Sequence, residues 1–267
     1  MILANHGIIS SSSGGVLDDA QAFIAAANIT DNTQKSAITT LVTNLKTYNI
    51  WDKMKAFYPF VGGTASSHKF NLKDPRDLDA AFRLTFNGGV THSSNGMILG
   101  GINGYANTWL NDNVFALKDL HVSIYSKTNE SSDKWDFGAR NTADNTGTFL
   151  GLKGANTQFI ACMQGLTTSG NINNANTTGF YIANRKTTDD IVLNKNGSEI
   201  FRASKATVGT SNYPYFIGTF NEGGTPLNQY SGKTLAGVTI GSGLTITESS
   251  NLHTVFQTFN TALSRPY

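Results

Sequence analysis

From about Lys53 to Ile240 the chain repeats one pattern: short stretches rich in aromatic and β-branched residues, each closed by a cluster of turn formers. Side chains that alternate with period two give a strand one apolar face, and that face needs a second layer to cover it. Eleven stretches carry the pattern, over residues 53–61, 81–86, 114–125, 135–139, 148–152, 158–163, 179–184, 190–193, 199–203, 215–219 and 235–240. Asn87-Gly88-Gly89, Asn95-Gly96, Asn103-Gly104 and Asn196-Gly197 fall between them. Asn-Gly supplies the positive φ angles of a tight hairpin turn. With no long helix interrupting the series, the reading is mainly β: a jelly-roll or β-sandwich of two antiparallel sheets over residues 51–267.

The first fifty residues obey another rule. Residues 1–17 close on Ser10-Ser11-Ser12-Ser13-Gly14-Gly15, which has nothing to bury and reads as a flexible N-terminal arm able to dock on a neighbour. Over residues 18–50, Asp18-x-x-Gln21 and Asp31-x-x-Gln34 have capping-box spacing, in which a carboxylate accepts from free N–H groups at a helix start. In the second helix Ile38, Leu41, Val42 and Leu45 recur at i, i+3, i+4, i+7 and share one stripe. The first presents Phe23, Ala26 and Ala27, and Asn28-Ile29-Thr30 turns the chain between the two. This short α-helical hairpin needs an apolar surface, on the sandwich or on another protein. A last short helix is expected from about Thr247, with Glu248 early in it and Leu252, Val255, Phe256, Phe259 and Leu263 on one stripe.

The final third has a definite order. Residues 190–202 form strand, Asn196-Gly197 turn, strand; Tyr215-Phe-Ile-Gly218 comes next, then Ala236-Gly-Val-Thr-Ile-Gly241, then Gly243-Leu-Thr245 leading into the helix. This order resembles the C-terminal half of the concanavalin A-like lectin/glucanase superfamily, its LamG-like jelly rolls in particular, across residues 179–263 and more loosely across 53–139. Ile24-Ala-Ala-Ala-Asn-Ile-Thr-Asp31, Leu45-Lys-Thr-Tyr-Asn-Ile-Trp51, Tyr58-Pro-Phe-Val-Gly-Gly63, His68-Lys-Phe-Asn-Leu-Lys73 and Gly241-Ser-Gly-Leu-Thr245 are together similar to uncharacterised structural proteins of tailed bacteriophages. That resemblance implies a non-enzymatic virion component, tail- or capsid-associated, whose partners are other virion proteins and copies of itself. The alternative it leaves open is an adhesin recognising host surface glycans, and beyond that a polysaccharide-degrading glycosidase.

Composition narrows the partners. Charged residues are 14% of the chain, against roughly 25% in an average soluble domain. The 20 Lys and Arg are scattered, leaving no footprint for nucleic acid. No apolar run approaches the length of a membrane span, so no membrane insertion is expected. The single cysteine, Cys162, lies in the apolar run Phe159-Ile-Ala-Cys-Met163 and reads as a buried, inert thiol.

The residue types able to carry chemistry form no catalytic or metal-binding pattern. Glucanases of the resembled superfamily use a Glu-x-Asp-x-x-Glu strand, in which alternate carboxylates enter one cleft. Here the only glutamates are Glu130, Glu199, Glu222 and Glu248, and Glu130-Ser-Ser-Asp133-Lys-Trp-Asp136 has the wrong spacing. His6, His68, His92, His121 and His253 show no helical pairing, and each reads as a surface or partly packed residue rather than a metal ligand. Asp74-Pro-Arg76-Asp77-Leu-Asp79 could suggest calcium, but a salt-bridged turn is the plainer reading. The glycine-rich segment 96–104 lacks the Lys-Ser/Thr ending of a phosphate loop and reads as a turn. Trp109, Tyr125 and Trp135 could stack on sugar rings from a concave face, with core packing the plainer reading of each. No catalytic, metal or cofactor residue is assigned, no cofactor is expected, and the sugar-binding residues stay unspecified.

Overall fold

The second helix begins where its sequence places it. The Asp31 carboxylate accepts from the Gln34 N–H at 2.8 Å, satisfying one of the free donors at the helix start. The Gln34 side chain does not complete a box; its Oε1 instead accepts from Gly62 N, tying the hairpin to the first strand's loop. A computed structural model describes residues 14–130, 133–154, 158–166 and 170–267, so most of the expected arm over residues 1–17 lies outside the described residues.

In chain order come helices α1 (Gly14–Ala26) and α2 (Asn32–Thr47), strand β1 (Met54–Tyr58) and the single turn α3 (Ala65–His68). Four three-residue strands come next: β2 (Thr85–Asn87), β3 (Thr91–Ser93), β4 (Gly96–Ile98) and β5 (Tyr105–Asn107). The long strands are β6 (Asp119–Ser126), β7 (Phe137–Arg140), β8 (Gly147–Gly154), β9 (Gln158–Gly165), β10 (Gly170–Asn173), β11 (Gly179–Lys186), β12 (Asp190–Lys195) and β13 (Ser198–Ser204). After the short β14 (Phe216–Ile217), β15 (Asn221–Glu222) and β16 (Thr225–Pro226), the chain ends in β17 (Thr234–Gly241) and α4 (Ile246–Ala262).

The strands form the expected two-sheet sandwich. One sheet runs β13-β12-β11-β6-β17-β4-β3, with β1 also on β17; the other runs β10-β9-β8-β7-β14-β5-β2 and carries the β15–β16 hairpin on β7. Among the described residues every strand pair is antiparallel except β15 with β7. Period-two alternation decides what each face meets. In β11, Tyr181 and Ala183 enter the core between the sheets, whereas Phe180 and Ile182 point out toward the helices. In β17 a bulge between Leu235 and Gly237 resets the alternation, which lets Leu235 and Val238 both face the inner core.

The helices roof the outer face of the first sheet. Ile38, Leu41, Val42 and Leu45 of α2 share a second core with Leu252, Val255, Phe256 and Phe259 of α4 and with Phe57, Tyr125, Phe180 and Ala236 of the strands. Full burial of one such aliphatic side chain contributes roughly 1.5–3 kcal/mol. Phe256 seats closely because its sheet partner is Gly237, where an added Cβ would come 2.2 Å from the Phe256 ring. A capping box starts α4: the Thr245 hydroxyl accepts from Glu248 N, and the Glu248 carboxylate accepts from Thr245 N.

Several expectations change. Helix α1 already runs from Gly14, so Asp18 lies within it and does not cap it; the spacing of Asp18 and Gln21 alone does not fix a helix start. Helix α4 starts one residue before Thr247. The 81–86 stretch is a strand only from Thr85, because residues 79–81 form a 3-10 turn that ends on Phe82 in the left-handed region, φ 59°. The 96–104 segment opens with a strand, β4, paired to β3 and β17. Six short strands escape the eleven-stretch reading, since two to four residues carry no measurable period.

Candidate functional site

The helices roof only the first sheet, so the outer face of the second is covered by its own hairpins and side chains. Under the β15–β16 hairpin it is sealed by Phe149, Cys162 and Phe220, with Trp135 and Leu227 at the margin. The Trp135 ring meets Phe149 and Phe220 edge-on, at 5.2 and 5.3 Å between centroids. Toward β5 and β2 the same face continues as a row of rings. Tyr105 lies on the opposite side of β5 from core residue Ala106, its ring 4.7 Å from Phe216 and 6.4 Å from Tyr230. The backbone of Tyr230 in turn forms an isolated parallel bridge with that of Trp135.

Trp109 stands at the far end of this row. The Asn107 Oδ1 accepts from Trp109 N at 2.9 Å, a side-chain turn that swings the backbone round. Trp109 then sits in the left-handed region, φ 58°, which costs an L residue about 1–2 kcal/mol. Its Nε1 donates to Thr85 Oγ1 at 3.0 Å, so the indole is held in one pose while 41% of the residue stays exposed. A large aromatic kept outside the core in a strained backbone is the kind of outlier that points to function.

Beneath the row lies a buried charge node. Lys233 and Asp136 are both fully buried, with Lys233 Nζ 3.0 Å from Asp136 Oδ1 and 3.1 Å from Glu130 Oε2. Burial alone would lower the Lys233 pKa, but the Asp136 and Glu130 carboxylates outweigh it and raise the value above that of a free lysine. Asp136 also accepts from Ser231 Oγ at 2.7 Å and from Leu152 N at 2.8 Å. Since Asp136 directly succeeds Trp135 and Ser231 directly succeeds Tyr230, the node fixes two of the surface aromatics from below.

The other three glutamates and the buried Asp112 are likewise engaged. Glu199 clamps Arg202 through both oxygens at 3.0 and 2.7 Å, Glu222 pairs with Arg140, and Glu248 meets Lys53 at 2.6 Å. Asp112 is enclosed, accepting from Thr148 Oγ1, Tyr215 OH and Ser211 N; burial pushes its pKa up to about 6 against those bonds. The Asp74–Asp79 segment is the salt-bridged turn of the plainer reading. Arg76 holds Asp74, Arg83 holds Asp77 and Asp79, and Lys69 holds Asp77. Among the described residues no three His, Cys, Asp or Glu side chains gather as a metal site.

Of the three aromatics singled out from sequence, Tyr125 is buried under α4, its OH donating to Gln257 Oε1. Trp135 is half-buried, and Trp109 alone is well exposed. Tyr105, Phe216 and Tyr230 complete the row without a sequence signal. Two histidines depart from the surface reading. His121 is fully buried between Ser242 O and Thr239 Oγ1, and burial lowers its pKa to about 4. His68 is buried with its Nδ1 3.0 Å from that of His92; burial, with His92 and Arg265 close by, lowers its pKa to about 3. His6 lies outside the described residues. Cys162 is buried, in agreement with the sequence reading.

No family model and no curated protein matches the sequence. Solved structures share the fold. A structure of botulinum neurotoxin type C, whose cell entry is described as dependent on two ganglioside molecules, aligns with a TM-score of 0.59 at 12% identity, over 79% of this chain and 53% of that one. The binding domain of botulinum neurotoxin serotype D aligns at 0.55 and 11%, over 77% and 52%. Domain 4 of an extracellular arabinanase from Geobacillus stearothermophilus, in complex with arabinotriose, aligns at 0.50 and 16%, over 75% and 98%. The chain thus spans about half of either toxin structure. At these identities the likeness establishes the β-sandwich fold alone.

Proposed function

We propose that the chain is a non-catalytic carbohydrate-recognition module that binds saccharides on the outer face of its second sheet, around Trp109, Tyr105 and Tyr230. The observation that carries this reading is Trp109, held exposed in a strained backbone by Asn107 and Thr85. A sugar ring offers one C–H-rich face that stacks on an aromatic plane and a rim of hydroxyls that needs a few placed polar partners. The ring row supplies the platform, and Asn107, whose oxygen alone is taken by Trp109, keeps its amide N–H groups for a ligand hydroxyl.

Fold alone assigns no ligand, but the arabinotriose and gangliosides named for fold neighbours are in keeping with the reading. The absence of catalysis is argued from the four glutamates, each committed to a cation. The resemblance of residues 18–265 to tailed-phage proteins supports a place on the virion, beside other particle proteins and copies of the same chain, facing host surface glycans.

The test is a glycan array with the purified protein and its W109A variant. Binding to a restricted set of glycans, weakened about two- to tenfold by W109A at unchanged stability, is expected, since an aromatic contact contributes about 0.5–1.5 kcal/mol. Silence of the wild-type protein across bacterial and host glycans would remove the proposal.

A further inference from the structure

On the other side of the molecule, where the helical roof ends, a cavity of about 130 Å³ lies between the first turn of α4 and the margin of the first sheet. The strand register builds its floor. Asn184 of β11 pairs across to Val192 of β12, and Val192 to Arg202 of β13. Asn194 lies one step along β12 on the same side, where a bulge after Leu193 shifts the pairing to β13. Ser249 and Ile246 of α4 form the opposite wall.

Two of these side chains are unexplained by the fold. Asn194 is 5% exposed and Ser249 2% exposed, yet neither the Asn194 amide nor the Ser249 hydroxyl makes a hydrogen bond to any described residue. Both line the same cavity, and since neither is fully enclosed at its polar atoms, the Asn194 amide and the Ser249 hydroxyl stay open to it. Neighbouring polar groups are spent: Asn184 bonds both polar groups of the Leu244 backbone, and Arg202 is held by Glu199 and Asp190. Ile246, 68% exposed at the rim, adds an apolar edge.

We infer that this cavity is a second ligand site, taking one neutral, hydroxylated unit the size of a single saccharide ring or a part of one. The Asn194 amide offers a donor and an acceptor and the Ser249 hydroxyl offers either, which suits vicinal hydroxyls. The cationic groups at the site are already matched by carboxylates, so charge does not favour an anion. The volume, below the roughly 300 Å³ of ordinary ligand pockets, admits a chain end and not the middle of a polymer. The choice of a sugar rests on the carbohydrate reading above; the location of the site does not.

The experiment is a titration of the isotopically labelled full chain with methyl α-glucopyranoside, methyl β-galactopyranoside, N-acetylglucosamine and glycerol, monitored by NMR. A saturable shift of the Asn194 side-chain amide with at least one sugar is expected, with glycerol at least tenfold weaker. N194L should weaken that binding tenfold or more, and S249A should weaken it to a lesser degree, while W109A leaves it unchanged. No saturable shift at Asn194 with any sugar, equal binding of glycerol, or retained affinity in N194L would overturn the inference. Shifts confined to Trp109 and Tyr105 would do the same while supporting the sheet-face site, so the two readings fail separately.

Discussion

Replacing Lys233 by methionine tests whether the buried charge node holds the aromatic face in place. Methionine keeps the length of the stem but removes the ammonium group that sits 3.0 Å from Asp136 and 3.1 Å from Glu130. Asp136, without access to water, would keep only the Ser231 hydroxyl and the Leu152 N–H. Removing one partner of a buried ion pair costs about 3–5 kcal/mol, because the remaining charge is stranded. Taking about 3 kcal/mol per molar urea for a chain of this size, the unfolding midpoint of K233M falls by roughly 1–1.7 M. Tryptophan fluorescence reads the transition. Adding D136N removes the stranded charge and leaves an oxygen to accept from Leu152, so K233M/D136N should regain more than half of the loss, a non-additivity that marks direct coupling. A K233M loss under about 1 kcal/mol, or a D136N change that deepens it, would refute the argument.

The same geometry sets other expectations. G237A places a Cβ on the Phe256 ring and should cost about 1–3 kcal/mol in thermal or urea unfolding, with F256L in the same chain recovering part of it. His121 has its folded pKa depressed from 6.5 to about 4, so the stability it contributes is present above pH 6.5 and lost as pH falls through 4. About 3 kcal/mol is involved, and H121Q should flatten the slope of stability against pH in that window. Asp112 acts in the opposite sense: with its pKa raised to about 6, its contribution is full below about pH 3.8 and lost as pH rises through 6, a loss that D112N should remove from the same curve. Antibodies to the purified chain should decorate phage particles under electron microscopy, and unlabelled particles would count against a virion location.

Local chemistry was legible and long-range meeting was not. Asn196-Gly197 announces its hairpin because both residues must adopt positive φ, and they do, at 52° and 82°. The Asp31 cap and the α2 stripe were equally readable, since their partners lie three or four residues away. Lys233 gave no signal: a lysine reads as surface until topology brings Glu130 and Asp136, about a hundred residues earlier, onto it. His68 and His92 meet only because α3 and β3 pack together. Of the aromatic row, Asn107 two residues before Trp109 was the one local hint, because an Asx turn rotates the backbone immediately beyond it.

The register of β17 bears on biosynthesis. This strand lies between β6 and β1 and also pairs with β4, so the middle of its sheet is filled by the last of that sheet's strands to leave the ribosome. Until then β6, β1 and β4 each carry an unsatisfied edge, the condition under which nascent β proteins associate wrongly. Slow closure across such sequence separations makes expression temperature and chaperone supply the controlling variables for obtaining this protein in soluble form.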